Sequence, residues 1–132
     1  MIKFTIDGRL PTLNEYTRAS RGNKYASASL KKESEEIVIA YIHKTLTGAC
    51  KPPYFITFRW YENSKRRDKD NVCFAKKFIL DAMETCGVIE NDSNKYISGF
   101  RDLFYYGKEQ KISVEIEGVL DDPKRKDIKV HK

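Results

Sequence analysis

Hydrophobic and polar residues alternate along four short stretches of the chain. The alternation covers residues 2–6, 56–60, 96–106 and 111–117, and Gly107 separates the last two stretches. A period of two places every second side chain on one face, so each stretch predicts a strand with one buried face. We expect the last two strands to turn at Gly107, as in a hairpin.

Two further stretches carry apolar residues at the spacing of a helix. The first covers residues 29–46 and has Lys and Glu on its opposite face. The second begins at Val72 or Ala75 and ends at Cys86, where Gly87 is a helix-stop signal. The resulting order β-α-β-α-β-β predicts an α+β domain, with a small mixed sheet and two helices packed on one face.

The remaining segments are polar. Residues 9–28 mix Pro, Gly, Asn, Ser and Thr with Arg and Lys, which predicts a loop and a candidate basic arm. We expect residues 1–120 to form a single domain and the charged residues 121–132 to be a disordered tail. No apolar run approaches the roughly 18 residues of a membrane span, and no signal-peptide block is seen. We therefore expect a cytoplasmic protein with no membrane partner.

The charge balance suggests a polyanionic partner. Lys and Arg number 25 against 19 Asp and Glu, which gives a formal net charge of +6. Charge alone is weak evidence, because many small basic proteins bind no nucleic acid. The 3 cysteines form no CxxC pair, so neither a disulfide framework nor a zinc knuckle is indicated.

The candidate chemistry lies in residues 65–92. Asp68 and Asp70 stand two positions apart, and on an extended chain their side chains would project from the same side. Adjacent carboxylates repel each other, and a hard divalent cation such as Mg²⁺ or Mn²⁺ offsets this repulsion. The basic residues of the segment are Lys65, Arg66, Arg67, Lys69, Lys76 and Lys77.

Asp92 is a third acid, placed after the second helix. A helix from Ala75 to Cys86 is about 18 Å long, and the residues that follow span about 20 Å when extended, so Asp92 can reach the first two acids within one chain. A helix that begins at Val72 would strain this closure and would favour Asp92 acting in the site of a partner subunit. The sequence leaves both arrangements open.

This combination of residues favours phosphate chemistry. Hydrolysis of a phosphodiester needs an ionised water, neutralisation of charge on phosphorus and help for the leaving oxygen. Clustered carboxylates with Mg²⁺ and a nearby ammonium provide all three. Lys77 would share a face with Asp70 if the helix between them were continuous.

Three motifs within residues 66–92 resemble the RusA family of Holliday-junction resolvases, especially its phage and prophage members. The motifs are RRDKDN (residues 66–71), KKFILDAM (residues 76–83) and GVIEND (residues 87–92). Because they occur together and in the family's order, the resemblance is specific. A weaker similarity lies upstream, in Pro11, Asn14 and Arg18.

The resemblance implies roles for individual residues. The metal-binding and catalytic acids would be Asp68, Asp70 and Asp92, and the catalytic lysine would be Lys77. The segment before this lysine is longer than in the shortest family members, which leaves Lys76 as an alternative. Asn91 stands where an Asp often precedes the third acid.

The resemblance also implies an activity. It is that of a Mg²⁺-dependent, structure-selective endodeoxyribonuclease, with Mn²⁺ as a possible substitute and no organic cofactor, that acts in recombination and repair. A homodimer would nick opposed strands of a four-way DNA junction, because two-fold symmetry presents matching sites to a nearly two-fold substrate. The residues expected to contact DNA phosphates are Lys65, Arg66, Arg67, Lys69 and Lys76.

Two other interpretations compete with a nuclease. A non-catalytic nucleic-acid-binding protein would use the acids as ion-pair partners of the surrounding Arg and Lys, and it would cleave nothing in Mg²⁺ or Mn²⁺. A small interaction protein with a basic surface would show no preference for branched over linear duplex at physiological salt.

Overall fold

The computed structural model describes residues 1–118. The elements, in chain order, are β1 (Ile2–Asp7), α1 (Leu13–Gly22), α2 (Lys24–Thr45), β2 (Tyr54–Glu62), α3 (Lys69–Cys73), α4 (Lys76–Thr85), β3 (Ile97–Tyr106) and β4 (Lys111–Glu117). The predicted α+β class is confirmed, as is the mixed sheet. The predicted domain end at residue 120 and the predicted tail at residues 121–132 lie outside the described residues.

The four strands form one sheet in the order β1-β4-β2-β3. Strand β4 is antiparallel to both β1 and β2, whereas β3 is parallel to β2. The predicted hairpin between β3 and β4 is therefore wrong, because β2 lies between them. The physical reason is that α3 and α4 form the crossover of a β-α-β unit, which delivers β3 parallel to β2.

One face of the sheet carries the hydrophobic core. Every second residue of β1 and β4 is buried, as the alternating pattern predicts. The sheet contributes Phe4, Ile6, Ile56, Phe58, Trp60, Val114 and Ile116 to the core, α2 contributes Val38 and Ile42, and α4 contributes Phe78, Ile79 and Met83. None of the helices within residues 1–118 is long and apolar enough to cross a membrane.

The polar segment predicted as a loop is helical, so that prediction is wrong. Helix α1 occupies half of it, and α2 begins within it. Thr12 and Glu15 form a capping box at the start of α1, and the side chain of Asn23 accepts a hydrogen bond from the Tyr25 N–H at the start of α2. Helix α1 fully buries no residue, and its polar composition is the reason for the incorrect prediction of a loop.

The second predicted helix is divided into α3 and α4. The chain remains in the right-handed helical region at Phe74 and Ala75, but its hydrogen bonds there shorten to the i to i−3 pattern. Gly87 ends α4 as predicted, with φ of 77°. The N–H of Gly87 donates to Glu84 and that of Val88 donates to Met83, which is a Schellman motif.

Candidate active site

Asp68 and Asp70 lie at the start of α3, and both are exposed. Asp68 precedes the helix in an extended conformation (φ −66°, ψ 151°), and Asp70 is in the first helical turn. The predicted extended segment therefore ends at Asp68 and does not include Asp70. The Asp68 side chain does not cap the helix, so its carboxylate oxygens are not used by the backbone of α3.

A surface depression of about 200 Å³ lies beside Asp68. Its lining residues are Lys65, Arg67, Asp68, Lys69 and Tyr106. The ammonium groups of Lys65 and Lys69 lie 5.5 and 5.3 Å from the centre of the Tyr106 ring. These distances are within cation–π range, so one ring of β3 holds two cations beside the acid.

Arg67 is half-buried, and its side chain lies against Glu62. Its Nε is 3.4 Å from Oε1 of Glu62, a side chain at the end of β2 whose residue is only 5% exposed. That oxygen has no hydrogen-bond partner among residues 1–118, so the contact with Arg67 is ionic. The pair ties the segment that carries Asp68 to the sheet. The exposed basic residues of this segment are Lys65, Arg66 and Lys69.

Lys76, the first residue of α4, is held in a polar network. Its Nζ lies 2.6 Å from Oδ2 of Asp102 on β3. The other oxygen of Asp102 accepts a hydrogen bond of 2.9 Å from Nε1 of the buried Trp60. Lys77, by contrast, is exposed on α4.

The thiol of Cys73, at the end of α3, contacts the backbone of Asp70. Its Sγ is 3.8 Å from the backbone carbonyl oxygen of Asp70. Burial raises the pKa of the thiol, and the charge of Asp102 raises it further, whereas the charge of Lys76 lowers it and that of Asp70 raises it.

Asp92 lies beside the second half of α4. The carboxylates of Asp92, Asp81 and Glu84 approach one another within 4.8 Å. Within residues 1–118, neither Asp68 nor Asp70 belongs to a group of three potential metal ligands of this kind. Within one chain, Asp92 therefore forms such a group with Asp81 and Glu84, and it forms none with Asp68 and Asp70 among the described residues.

The loop that carries Asp92 is tied down at two points. The Tyr54 hydroxyl donates a hydrogen bond of 2.9 Å to Glu90, and Oδ1 of Asn91 accepts one of 2.8 Å from the Ser93 N–H. Burial is the main reason why the pKa of Tyr54 is raised, and the bond to Glu90 adds to it. The position of Asp92 next to α4 follows from these contacts and from the turn at Gly87.

The upstream segment that includes Asn14 contacts the segment that includes Asp70. The side-chain Oδ1 of Asn71 accepts a hydrogen bond of 2.8 Å from the backbone N–H of Asn14. Tyr16 of α1 also packs on Phe74 and Phe78, with ring centres 5.4 and 6.0 Å apart. Helix α1 thus supports the segment on which Asp70 lies.

Two polar residues of this region were not predicted from the sequence, namely Glu62 and Asp102. Each occupies an inward position of its strand, in register with aromatic residues: Glu62 follows Phe58 and Trp60, and Asp102 stands between Phe100 and Phe104. The sequence signal for both residues is a charged residue where the alternating pattern calls for an apolar one. Such residues are rarely buried without a partner.

The segment at the start of α3 offers exposed carboxylates and exposed cations, and α4 begins with an ammonium held by Asp102. This set can bind a hard divalent cation and a phosphate backbone, which are the components of metal-assisted phosphodiester hydrolysis. Comparison with protein-family models and with curated proteins finds no match for this chain.

Proposed function

We propose that the protein is a Mg²⁺-dependent endodeoxyribonuclease that cleaves four-way DNA junctions as a homodimer. The observation that supports this most is the pair of exposed carboxylates, Asp68 and Asp70, at the start of α3, where Asp68 lines a depression together with Lys65, Arg67 and Lys69. An acidic pair in a basic surface is unfavourable for binding DNA unless a metal neutralises it. The proposal therefore explains why acidic and basic side chains occur together at this surface, and it agrees with the resemblance to the RusA family. Its place of action would be the cytoplasm.

The acids fit the chemistry of Mg²⁺ or Mn²⁺. Both ions prefer oxygen ligands, and the carboxylates of Asp68 and Asp70 are exposed and are not used as helix caps. These two residues would hold the ion together with Asp92. When bound, the ion would supply charge neutralisation at phosphorus and a more acidic water.

Asp92 would join the site from a second copy of the chain. In one chain its carboxylate lies with Asp81 and Glu84, on the flank of α4. The sequence left open whether Asp92 acts in its own chain or in the site of a partner subunit, and this position favours the partner subunit. A two-fold dimer in which each copy supplies Asp92 to the other would make cleavage depend on dimerisation.

The protein's own residues would perform the remaining steps. The carboxylates would orient the attacking water, and a lysine at the start of α4, Lys76 or Lys77, would stabilise the leaving oxygen. Exposed basic residues would bind the DNA backbone without reading its sequence. Those residues are Lys65, Arg66 and Lys69, whereas Arg67 would keep the segment in place through Glu62.

A labelled immobile four-way junction tests the proposal. Wild-type protein is incubated with it, with and without Mg²⁺, beside Asp70→Asn and the control Asp7→Asn, which changes an exposed acid at the end of β1. We expect symmetric nicks only with Mg²⁺, from wild type and the control. Asp70→Asn should bind the junction and leave it intact. Metal-independent nicking, or undiminished nicking by Asp70→Asn, would contradict the proposal.

A non-catalytic branched-DNA-binding protein is the second candidate. It is favoured because, within residues 1–118, Asp92 forms no group of potential metal ligands with Asp68 and Asp70. It predicts junction binding by the wild type with no cleavage in Mg²⁺ or Mn²⁺, so the same experiment separates the two functions.

A further inference from the structure

We propose that Asp102 is a positioning residue that holds the ammonium of Lys76 at the junction between α3, the helix that carries Asp70, and α4, and that Lys76 is the lysine that acts on the scissile phosphate. This inference rests on the proposed nuclease function. It assigns a role to Asp102, a residue outside the three motifs, and it chooses between the two lysines at the start of α4.

Both oxygens of Asp102 are engaged. Oδ2 accepts from Lys76 at 2.6 Å, and Oδ1 accepts from the indole N–H of Trp60 at 2.9 Å. Trp60 is 1% exposed and stacks on Phe58 and Phe104, so its ring cannot reorient without disturbing the core. A rigid indole therefore fixes the carboxylate, and the carboxylate fixes the ammonium.

Aromatic rings confine the ammonium on a further side. Lys76 Nζ lies 4.7 Å from the centre of the Phe100 ring and 5.3 Å from that of Phe58. The electron-rich faces of these rings attract the cation, and they also restrict its movement. The Lys76 side chain is 19% exposed, so part of it is accessible to a ligand. It has the properties of a charge that is oriented before substrate binds.

Lys76 lies at the junction between α3, which carries Asp70 in its first turn, and α4. Helix α3 ends at Cys73 and α4 begins at Lys76. The Cys73 thiol, at the end of α3, contacts the backbone carbonyl oxygen of Asp70 at 3.8 Å. Lys76 and Asp70 therefore lie on consecutive helices that one short turn joins.

Preorganisation distinguishes Lys76 from Lys77. A donor that already has its orientation loses little side-chain entropy when the transition state forms, and it stabilises developing charge more effectively than a mobile one. Lys77 is exposed on the surface of α4 and would have to be ordered by the substrate. The acid four residues after Lys77 is Asp81, and its Oδ2 lies 3.5 Å from Nζ of Lys31 on α2.

A purely structural ion pair is the competing explanation, and a double variant separates the two. In Lys76→Met/Asp102→Asn the charges are removed together, an apolar chain replaces the lysine stem, and the Asn oxygen can still accept from Trp60. Replacement of a buried pair by uncharged residues of similar size is often tolerated, whereas removal of one partner leaves an unpaired charge. Because the chain has one Trp, its fluorescence reports whether the network around Trp60 is intact.

The test measures kcat and KM for a four-way junction with Mg²⁺, together with Trp60 emission and thermal unfolding. We expect the double variant to fold, to keep KM within about threefold and to lose kcat by about 100-fold or more, the usual range for a proton donor. Asp102→Glu should keep more of kcat than Asp102→Asn, since Glu retains the negative charge. Lys76→Met should lose more kcat than Lys77→Met.

Three outcomes would overturn the inference. They are a folded double variant with nearly wild-type kcat, a larger loss in Lys77→Met than in Lys76→Met, and an equal kcat for Asp102→Glu and Asp102→Asn. If these occur while the wild type cleaves, the proposed nuclease function stands and only the role of Asp102 fails. A wild type that does not cleave removes both.

Discussion

The capping box of α1 predicts an acid-sensitive contribution to stability. The Glu15 carboxylate accepts hydrogen bonds from Arg9 at 2.5 and 2.9 Å and from the backbone N–H of Thr12 at 3.0 Å. The hydrogen bond from Arg9 is the main cause that lowers the pKa of Glu15 from 4.5 to about 2, against the opposing effect of burial. Glu15→Gln keeps the shape of the side chain and removes its charge.

The size of the effect follows from this pKa. A change from 4.5 to about 2 corresponds to an upper limit of about 3.4 kcal/mol, at 1.36 kcal/mol per pKa unit. The Glu15 side chain is 38% exposed, so solvent screening reduces the contribution to about 1–2 kcal/mol. Because the folded-state pKa is depressed, the contribution is present above pH 4.5 and is lost as pH falls towards 2.

Urea unfolding followed by circular dichroism measures this contribution. At pH 7 we expect Glu15→Gln to lower the free energy of unfolding by about 1–2 kcal/mol. At pH 2, where the Glu15 carboxyl is about half protonated, we expect the deficit to fall below about 0.5 kcal/mol. Glu36→Gln, which changes an exposed glutamate of α2, is the matched control. A Glu15→Gln deficit that is the same at pH 7 and pH 2, or no greater than that of the control, would refute the reasoning.

Three further predictions concern the core, a turn and the DNA-binding surface. Phe78→Ala should reduce the free energy of unfolding by about 3–5 kcal/mol in the same urea assay, because the side chain is fully buried in α4; a loss below 1 kcal/mol would contradict this. Gly48→Ala should cost at least about 2 kcal/mol, because Gly48 has φ of 90° and a Cβ there would lie 1.9 Å from the Met1 carbonyl oxygen; an unchanged midpoint would show the turn to be tolerant. Neutralising Lys65, Arg66 and Lys69 together should lower the slope of log K against log salt for duplex DNA by about 2–3, and an unchanged slope would remove them from the DNA contact.

The alternating strands and the amphipathic helices could be predicted from the sequence because burial on one face imposes a period on it. The pairing of the strands could not be predicted, because β3 and β4 have the same hydrophobic patterns whether they pair with each other or with β2. Helix α1 has no fully buried residue and is mostly polar, and its capping residues, Thr12 and Glu15, are a clear sequence signal for it. Capping signals deserve weight even where apolar residues are few.

The candidate site was predictable in part. The motif residues mark where Asp68 and Asp70 lie, but the break between α3 and α4 and the direction of the loop after Gly87 depend on tertiary packing. These features decide that Asp92 lies with Asp81 in one chain. The spacing of these acids along the sequence does not reveal the distances between their carboxylates in the fold.

A metal site assembled from two copies is tested most directly by mixing two inactive variants. Asp70→Asn and Asp92→Asn are purified separately, confirmed to be folded and inactive, then mixed under conditions that exchange subunits and given the four-way junction with Mg²⁺. If Asp92 acts across the dimer, a mixed dimer has one intact site, so nicking should return at up to about a quarter of the wild-type rate and on one strand at a time. If all three acids act within one chain, both sites of the mixed dimer are defective, and a mixture that remains inactive after confirmed exchange would contradict the shared site.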